Sequence, residues 1–351
     1  MEIGGFFEFA ELNYHHNKDS VLNYLLDQNG SPGPVFYRDG RQAIKSVLLD
    51  IADLNKKICL LPSYLCKSIK QPFKELELNT RYYGHQPGLK PVIESRIKDT
   101  LMYIIDYFGV EMISNDEILE LTENNIVILD ITHSLFDEKR LRLKHENLYS
   151  IASLRKSFPI PDGSIVHHAS PDFETIEDAP EGYEKMLEAM FQKKYYVSNH
   201  YANKGLKRHF LTLYRDYEDL KDNNTIKLER LPEISRHIMK HIAIDPIVRK
   251  RESNLQYIYD NIDRKQILFE LDQIRSPFCV PLVFDTEQER ERCKRKLIEN
   301  DVFPPVHWEL PDDVPRSFAY EHRLSRRILS IPIDQRYSEE QLSTIVNTLW
   351  R

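Results

Sequence analysis

A single lysine, Lys156, stands behind a serine and an arginine in the stretch YSIASLRKSFPIPDGSIV (residues 149–166). Two prolines and an Asp-Gly turn follow it at once. An amine at such a stiffened turn is either a surface charge or a Schiff-base former, and the second role requires a place where desolvation can remove its charge. Asp130 ends the apolar run IVILD. It either caps the next segment or is a buried carboxylate facing a cationic ligand such as a protonated pyridine nitrogen, since a buried carboxylate without a partner would take up a proton. His133, three residues on, is placed to hydrogen-bond a ligand oxygen, to lie against a ring, or to be a satisfied core histidine. Asp39-Gly40-Arg41 leads into a helix, whose first N–H groups and positive dipole end form a natural phosphate seat. Ser153 offers a hydroxyl to the same anion. An amine for an aldehyde, a carboxylate for a ring nitrogen, a phosphate seat and a group over a ring are what pyridoxal 5'-phosphate requires.

These residues need elements to hold them. Ala43, Ile44, Val47, Leu48 and Ile51 form a 3.6-residue stripe, so residues after Arg41 are predicted helical. The short apolar runs ICLLP, LMYIIDYF, NIVILD, LYSIASL and GSIVHH alternate with helical patterns, and Ser114 with Glu117 makes a capping box. Buried strands separated by helices imply a parallel sheet covered on both faces. Ligands of such sheets bind beyond the carboxyl ends of the strands. That rule selects residues 39–41, 62–66, 107–109, 130–133 and 153–156. Past residue 180 long helices dominate (183–203, 206–221 and 245–262), and a strand, helix, strand, helix pattern from 279 onward reads as a smaller α/β domain. The expected division is an N-terminal segment 1–24, a large cofactor-binding domain 25–240 and a small domain 241–351.

Composition narrows the function classes. The chain has 351 residues, 41% of them hydrophobic, and a net charge of −7. A nucleic-acid binder usually carries a basic surplus, and the basic cluster RERCKRKL lies among acids, as on a solvated helix face. No apolar run reaches the ~18 residues of a membrane span, and the Met-Glu-Ile start does not read as a signal peptide. Cys59, Cys66, Cys279 and Cys293 make no C-x-x-C pair or metal spacing, which fits reduced thiols in the cytoplasm. His237 and His241 lie four apart on a predicted helix but lack the glutamate of a zinc protease motif, so a basic face is expected there and no metal. His167 and His168, being adjacent on a strand, point to opposite faces. His307 and Trp308 either line the substrate entrance or pack, and Glu309 and Arg336 are equally open.

The order and wording of these segments resemble the DegT/DnrJ-type family of pyridoxal-phosphate-dependent sugar aminotransferases, of the aspartate-aminotransferase fold (fold type I). The likeness spans nearly the whole chain: IGGFFEF, YRDGRQAI, LPSYLCKS, DYFGV, ILDITHSLF, SLRKSFPIPDG, PVHW and LSIPIDQRY. It implies that Lys156 bonds the cofactor aldehyde and then shuttles protons at the substrate carbon. Asp130 would hold the ring nitrogen protonated, and His133 would contact the ring's phenolic oxygen. Gly40 and Arg41 would give backbone N–H groups to the phosphate, with the Ser153 hydroxyl. The sequence departs from the family pattern at three places. Cys66 stands where a bulky aromatic usually stacks on the ring, which leaves Tyr64 or His133 to cover that face. The small Ser-Gly-Thr phosphate turn is Asp-Gly-Arg here. The partner-subunit loop is replaced by LPEIS (residues 231–235). The resemblance implies a homodimer that moves nitrogen from an amino acid to a keto-sugar, nucleotide-linked, in surface-polysaccharide or amino-sugar biosynthesis. Two alternatives remain: another reaction type on the same cofactor (dehydration, decarboxylation or condensation), and a non-catalytic scaffold of the same fold.

Overall fold

Alternation along the apolar runs sets the layers. The computed structural model describes residues 2–12, 19–26, 33–94, 96–169, 176, 179–199 and 203–350. Its central sheet holds seven strands: β1 (Val35–Tyr37), β2 (Ile58–Pro62), β3 (Thr80–Tyr83), β4 (Thr100–Ile105), β5 (Ile126–Asp130), β6 (Leu148–Ser153) and β7 (Ser164–His167). Their spatial order is β1-β7-β6-β5-β4-β2-β3. Neighbours run parallel except β7, which is antiparallel to both β1 and β6.

Helices α1 (Gly40–Asp50) and α2 (Lys67–Glu75) cover one face; α3 (Asn115–Thr122) covers the other. Successive side chains of a strand point to opposite faces, and β4 shows it. Leu101, Tyr103 and Ile105 join the core under α1, with Ala43, Ile44 and Val47, while Met102 and Ile104 join Ile118 of α3. This is the covered, mostly parallel sheet expected from the apolar runs.

The chain continues through α4 (Tyr183–Ser198), α5 (Lys204–Asn223), α6 (Glu233–Lys240) and α7 (Ile244–Asn261). One helix was expected over 183–203; α4 stops at Ser198, and a new helix starts at Lys204 because Asn203 caps it, its side-chain oxygen accepting from the Leu206 N–H at 3.0 Å. Residues 200–202 of that expectation lie outside the described residues. Helices α4 and α5 pack on each other through Met186, Met190 and Tyr217. A further core joins α7, α8 (Glu287–Glu299) and α10 (Glu339–Trp350) to the antiparallel pair β8 (Cys279–Val283) and β9 (Ile328–Pro332). Helix α9 (Ala319–Arg327) leads into β9. Ile3 belongs to this core as well, since Ile3–Gly4 pairs in parallel with Val302–Phe303. Arg336 closes that joint by binding Asp334 at 2.7 Å and Glu8 at 3.1 Å.

Two joints hold the strand ends. Gly109 follows β4 with φ +84°, and an added Cβ would sit 1.7 Å from the Ser276 carbonyl oxygen, so only glycine fits. Arg140 and Asp106, 1% and 0% exposed at their side chains, form a two-pronged pair (2.9 and 3.1 Å), and the Ser134 hydroxyl also donates to Asp106. That pair ties the chain after β4 to the chain after β5, where His133 lies.

Candidate active site

The carboxyl ends of β1, β2, β5 and β6 open into one cavity of about 1100 Å³. The lysine comes first. β6 ends at Ser153, and residues Leu154–Lys156 make a single 3-10 turn. The turn that follows is pinned rather than free. The Leu154 N–H donates to the Gly163 carbonyl at 2.8 Å, and Phe158 and Ile160 are buried in the core of the α3 face. Asp162 binds Arg38 at 3.0 Å, and the Ser235 hydroxyl donates to its carbonyl at 2.6 Å. The LPEIS segment thus clamps the lysine loop from within the chain. Lys156 itself lines the cavity and is exposed. The desolvation its amine was expected to find is not provided by the protein walls alone, because the cavity is open.

Asp130 ends β5 and is 8% exposed on the cavity wall. Its two carboxylate oxygens are each aimed by one donor. The Tyr103 hydroxyl donates to Oδ2 at 2.8 Å and the Thr132 N–H donates to Oδ1 at 2.9 Å. The register explains the first bond: Ile105 of β4 pairs with Asp130, so Tyr103, two residues earlier, stands on the same face.

His133 is 3% exposed. Its Nδ1 accepts the Phe108 N–H at 3.2 Å. Burial first, then His307 and Lys156 nearby, pushes its pKa well below 6.5. The ring is therefore neutral with its proton on Nε2. Phe278 stacks on it at 3.9 Å, and Trp308 lies nearly parallel at 5.5 Å. His307 is pushed down to about 3 by burial and by Lys156. Both His307 and Trp308 line the cavity, and Trp308 also packs on the Tyr64, Phe108 and His133 rings.

At the other end, Gly40 begins α1 beside Ser153, whose Cβ is 3.6 Å from where a Gly40 Cβ would be. Asp39 caps the helix with its own carboxylate, Oδ1 accepting from the Arg41 N–H at 2.9 Å and the Gln42 N–H at 3.2 Å. The Arg41 side chain pairs with Asp222. Arg155 grips Glu218 with two bonds (3.1 and 3.2 Å), and Lys221 binds the same carboxylate at 2.9 Å. Burial works against ionising Glu218, but Arg155 and Lys221 prevail and hold its pKa at about 2.

Cys66, the N-terminal flank of α2, also lines the cavity; its Sγ lies 3.2 Å from the Ser68 hydroxyl. Of the residues singled out in the sequence, Lys156, Asp130, His133, Gly40, Arg41, Ser153 and Cys66 line this one cavity. Tyr64 does not reach it. It is fully buried behind Trp308 (ring centroids 5.7 Å apart), with its hydroxyl on the His307 carbonyl, so its ring is committed to the core. His237 and His241 touch each other, rings 4.3 Å apart, and no described group of three His, Cys, Asp or Glu residues could hold a metal.

Neither a protein-family model nor a curated protein matches the chain. Solved structures do. CalS13, a sugar aminotransferase from Micromonospora echinospora, is 13% identical with a TM-score of 0.62, over 98% of this chain and 98% of its own. Spr1654 from Streptococcus pneumoniae, in its PMP form, is 12% identical with a TM-score of 0.64, over 99% of this chain and 91% of its own. A DegT DnrJ EryC1 StrS aminotransferase from Brucella abortus is 12% identical with a TM-score of 0.60, over 91% and 86%. The chain has the fold of these aminotransferases. At the level of fold, the resemblance read from its motifs is borne out.

Sequence reasoning missed several lining residues of this aminotransferase fold. Tyr103 carried a signal: a tyrosine inside an apolar strand run needs a partner for its hydroxyl, and its position parity matches that of Asp130. Glu218, Lys221 and Asp222 carried none, since they sit in a charged helix that reads as a solvated face. Arg155 was hidden by its neighbour Lys156.

Proposed function

We propose that the protein is a pyridoxal-phosphate-dependent aminotransferase. It moves nitrogen from an amino acid, glutamate by preference, to a keto-sugar, and the sugar is nucleotide-linked. What supports this reading most is that Lys156, Asp130 and His133 line one cavity at the strand ends of a fold shared with sugar aminotransferases. The residues present fit the cofactor at its ring. Asp130 is a carboxylate whose plane is fixed by Tyr103 and Thr132, leaving lone pairs toward the cavity for a ring N–H. His133, neutral with its proton on Nε2, is a donor for a ring oxygen. Gly40 leaves open the space beside Ser153 that a Cβ would fill.

When bound, the cofactor supplies an aldehyde and an electron-withdrawing ring. The chain's own residues do the rest. Lys156 holds the cofactor and moves the proton at the substrate carbon. Asp130 keeps the ring nitrogen protonated. Trp308 and Phe278 hold the His133 plane. A second copy of the chain completes the working unit, and the cytoplasm, where amino-acid donors are plentiful, is its compartment; no described helix is long and apolar enough to cross a membrane.

The test is borohydride reduction of protein incubated with pyridoxal 5'-phosphate, followed by peptide mapping. The label is expected on the peptide holding Lys156 and is expected to vanish in Lys156→Ala. Labelling elsewhere, or equal labelling of the variant, would sink the reading. Incubation with glutamate and nucleotide-linked keto-sugars then separates transamination from dehydration, decarboxylation or condensation by the product formed.

A further inference from the structure

The phosphate end of the cavity already holds an anion, and it belongs to the chain. The first free N–H groups of a helix are what an anion at its N-terminus would use. In α1 the Arg41 and Gln42 N–H groups are both taken by the Asp39 carboxylate. The cations nearby are partly committed in the same way, although the buried Arg41 Nε has no hydrogen-bond partner among the described residues. Arg41 pairs with Asp222, and Arg155 and Lys221 share Glu218, so three carboxylates and three cations face one another on this wall. Lys221 is 7% exposed and Asp39 8% exposed, so water screens them little. A phosphate arriving at Gly40 and Ser153 meets the Asp39 carboxylate already on the Arg41 and Gln42 N–H groups, on a wall whose six named charges cancel.

We propose that Asp39 is a built-in competitor for the cofactor's phosphate, so that the protein binds pyridoxal 5'-phosphate weakly and reversibly and discriminates little between it and unphosphorylated pyridoxal. The proposal rests on the cofactor reading above and specifies the ligand chemistry of the same cavity. To enter, the phosphate must push the Asp39 carboxylate off the Arg41 and Gln42 N–H groups or sit against it. Both cost affinity that a neutral capping residue would not.

Asp39→Asn isolates the charge. Asparagine caps helices as well as aspartate and keeps an oxygen for the Arg41 and Gln42 N–H groups, so α1 stays capped. The measurement is equilibrium binding of pyridoxal 5'-phosphate and of pyridoxal to wild type, Asp39→Asn and Asp39→Ser, read by quenching of Trp308, with thermal unfolding as the check on folding. The expected result is that both variants bind the phosphorylated form more tightly by about tenfold or more, while pyridoxal affinity moves by less than about twofold. Unchanged or weaker binding of pyridoxal 5'-phosphate in both variants, with pyridoxal still trapped by borohydride on Lys156, would overturn the inference and leave the cofactor reading standing. If neither vitamer is trapped on Lys156 in any of the three proteins, the cofactor reading falls and the inference falls with it.

Discussion

The bond between Tyr103 and Asp130 can be weighed without any cofactor. Asp130 offers two oxygens to two donors, the Tyr103 hydroxyl at 2.8 Å and the Thr132 N–H at 2.9 Å. Asparagine at this position has one oxygen and one NH2. Turned toward Thr132 with its oxygen, it leaves the fully buried Tyr103 hydroxyl proton without an acceptor, which costs about 1–3 kcal/mol. The charge assistance of both bonds is lost as well. Asp130→Asn should therefore destabilise the apo protein by about 2–3 kcal/mol. Tyr103→Phe removes one hydrogen bond to a charged partner but leaves Oδ2 beside the cavity, so it falls at the low end, about 1.5 kcal/mol. In the double variant no hydroxyl is left to satisfy, and the total should be no larger than that of Asp130→Asn alone. The singles then overcount by about 1 kcal/mol or more. Guanidinium unfolding of the four apo proteins closes the cycle. Additivity within about 0.5 kcal/mol would show that the hydroxyl does not depend on the carboxylate, and the account of how Asp130 is aimed would be wrong.

Other perturbations test the frame around the site. Gly109→Ala puts a Cβ 1.7 Å from the Ser276 carbonyl oxygen at a φ of +84°, and should cost more than about 4 kcal/mol or abolish soluble protein; a change in unfolding free energy under about 1 kcal/mol would contradict that joint. Arg140→Ala strands the buried Asp106 carboxylate and is expected to cost about 3–5 kcal/mol by denaturant unfolding, whereas the loss of a surface pair would be under about 1 kcal/mol. Glu218 titrates near 2 in the folded chain against an ordinary 4.5. Its folded pKa is depressed, so its contribution, at most about 3 kcal/mol, is whole above pH 4.5 and fades as pH falls toward 2. The stability gap between wild type and Glu218→Gln should thus be wide at pH 7 and narrow at pH 3; a gap that does not change with pH would mean the Arg155 and Lys221 contacts are not ionic.

What the sequence made legible follows from period and punctuation. The runs ending at Asp130 and Ser153 were readable because a parallel strand buried on both faces is apolar throughout, and a polar residue at its carboxyl end stands out. Lys156 was readable because prolines and Asp162-Gly163 mark where the strand must stop. Tyr64 was misplaced because the motif LPSYLCKS gives no hint of which aromatic faces the cavity; Trp308, almost 250 residues away in sequence, decides it by packing over Tyr64. The residues of α5 were invisible for a physical reason. A helix with Glu218, Lys221 and Asp222 along it has the composition of a solvated face, and only tertiary packing turns that face onto the mouth of the cavity.

That packing also connects departures that look independent in the sequence. Asp39-Gly40-Arg41 puts one carboxylate and one guanidinium just past the end of β1. The carboxylate takes the α1 N–H groups, and the guanidinium takes Asp222 from α5 while its buried Nε has no partner among the described residues. The same helix brings Glu218 to Arg155, the neighbour of Lys156, and Lys221 to Glu218. The LPEIS segment holds the Asp162 carbonyl of the lysine turn through Ser235. The turn, the helix and the LPEIS segment therefore act on one structure, the support of Lys156 and the α1 N-terminus beside it. Buried charges need partners whether or not a ligand enters, so this pairing first of all supports the wall itself.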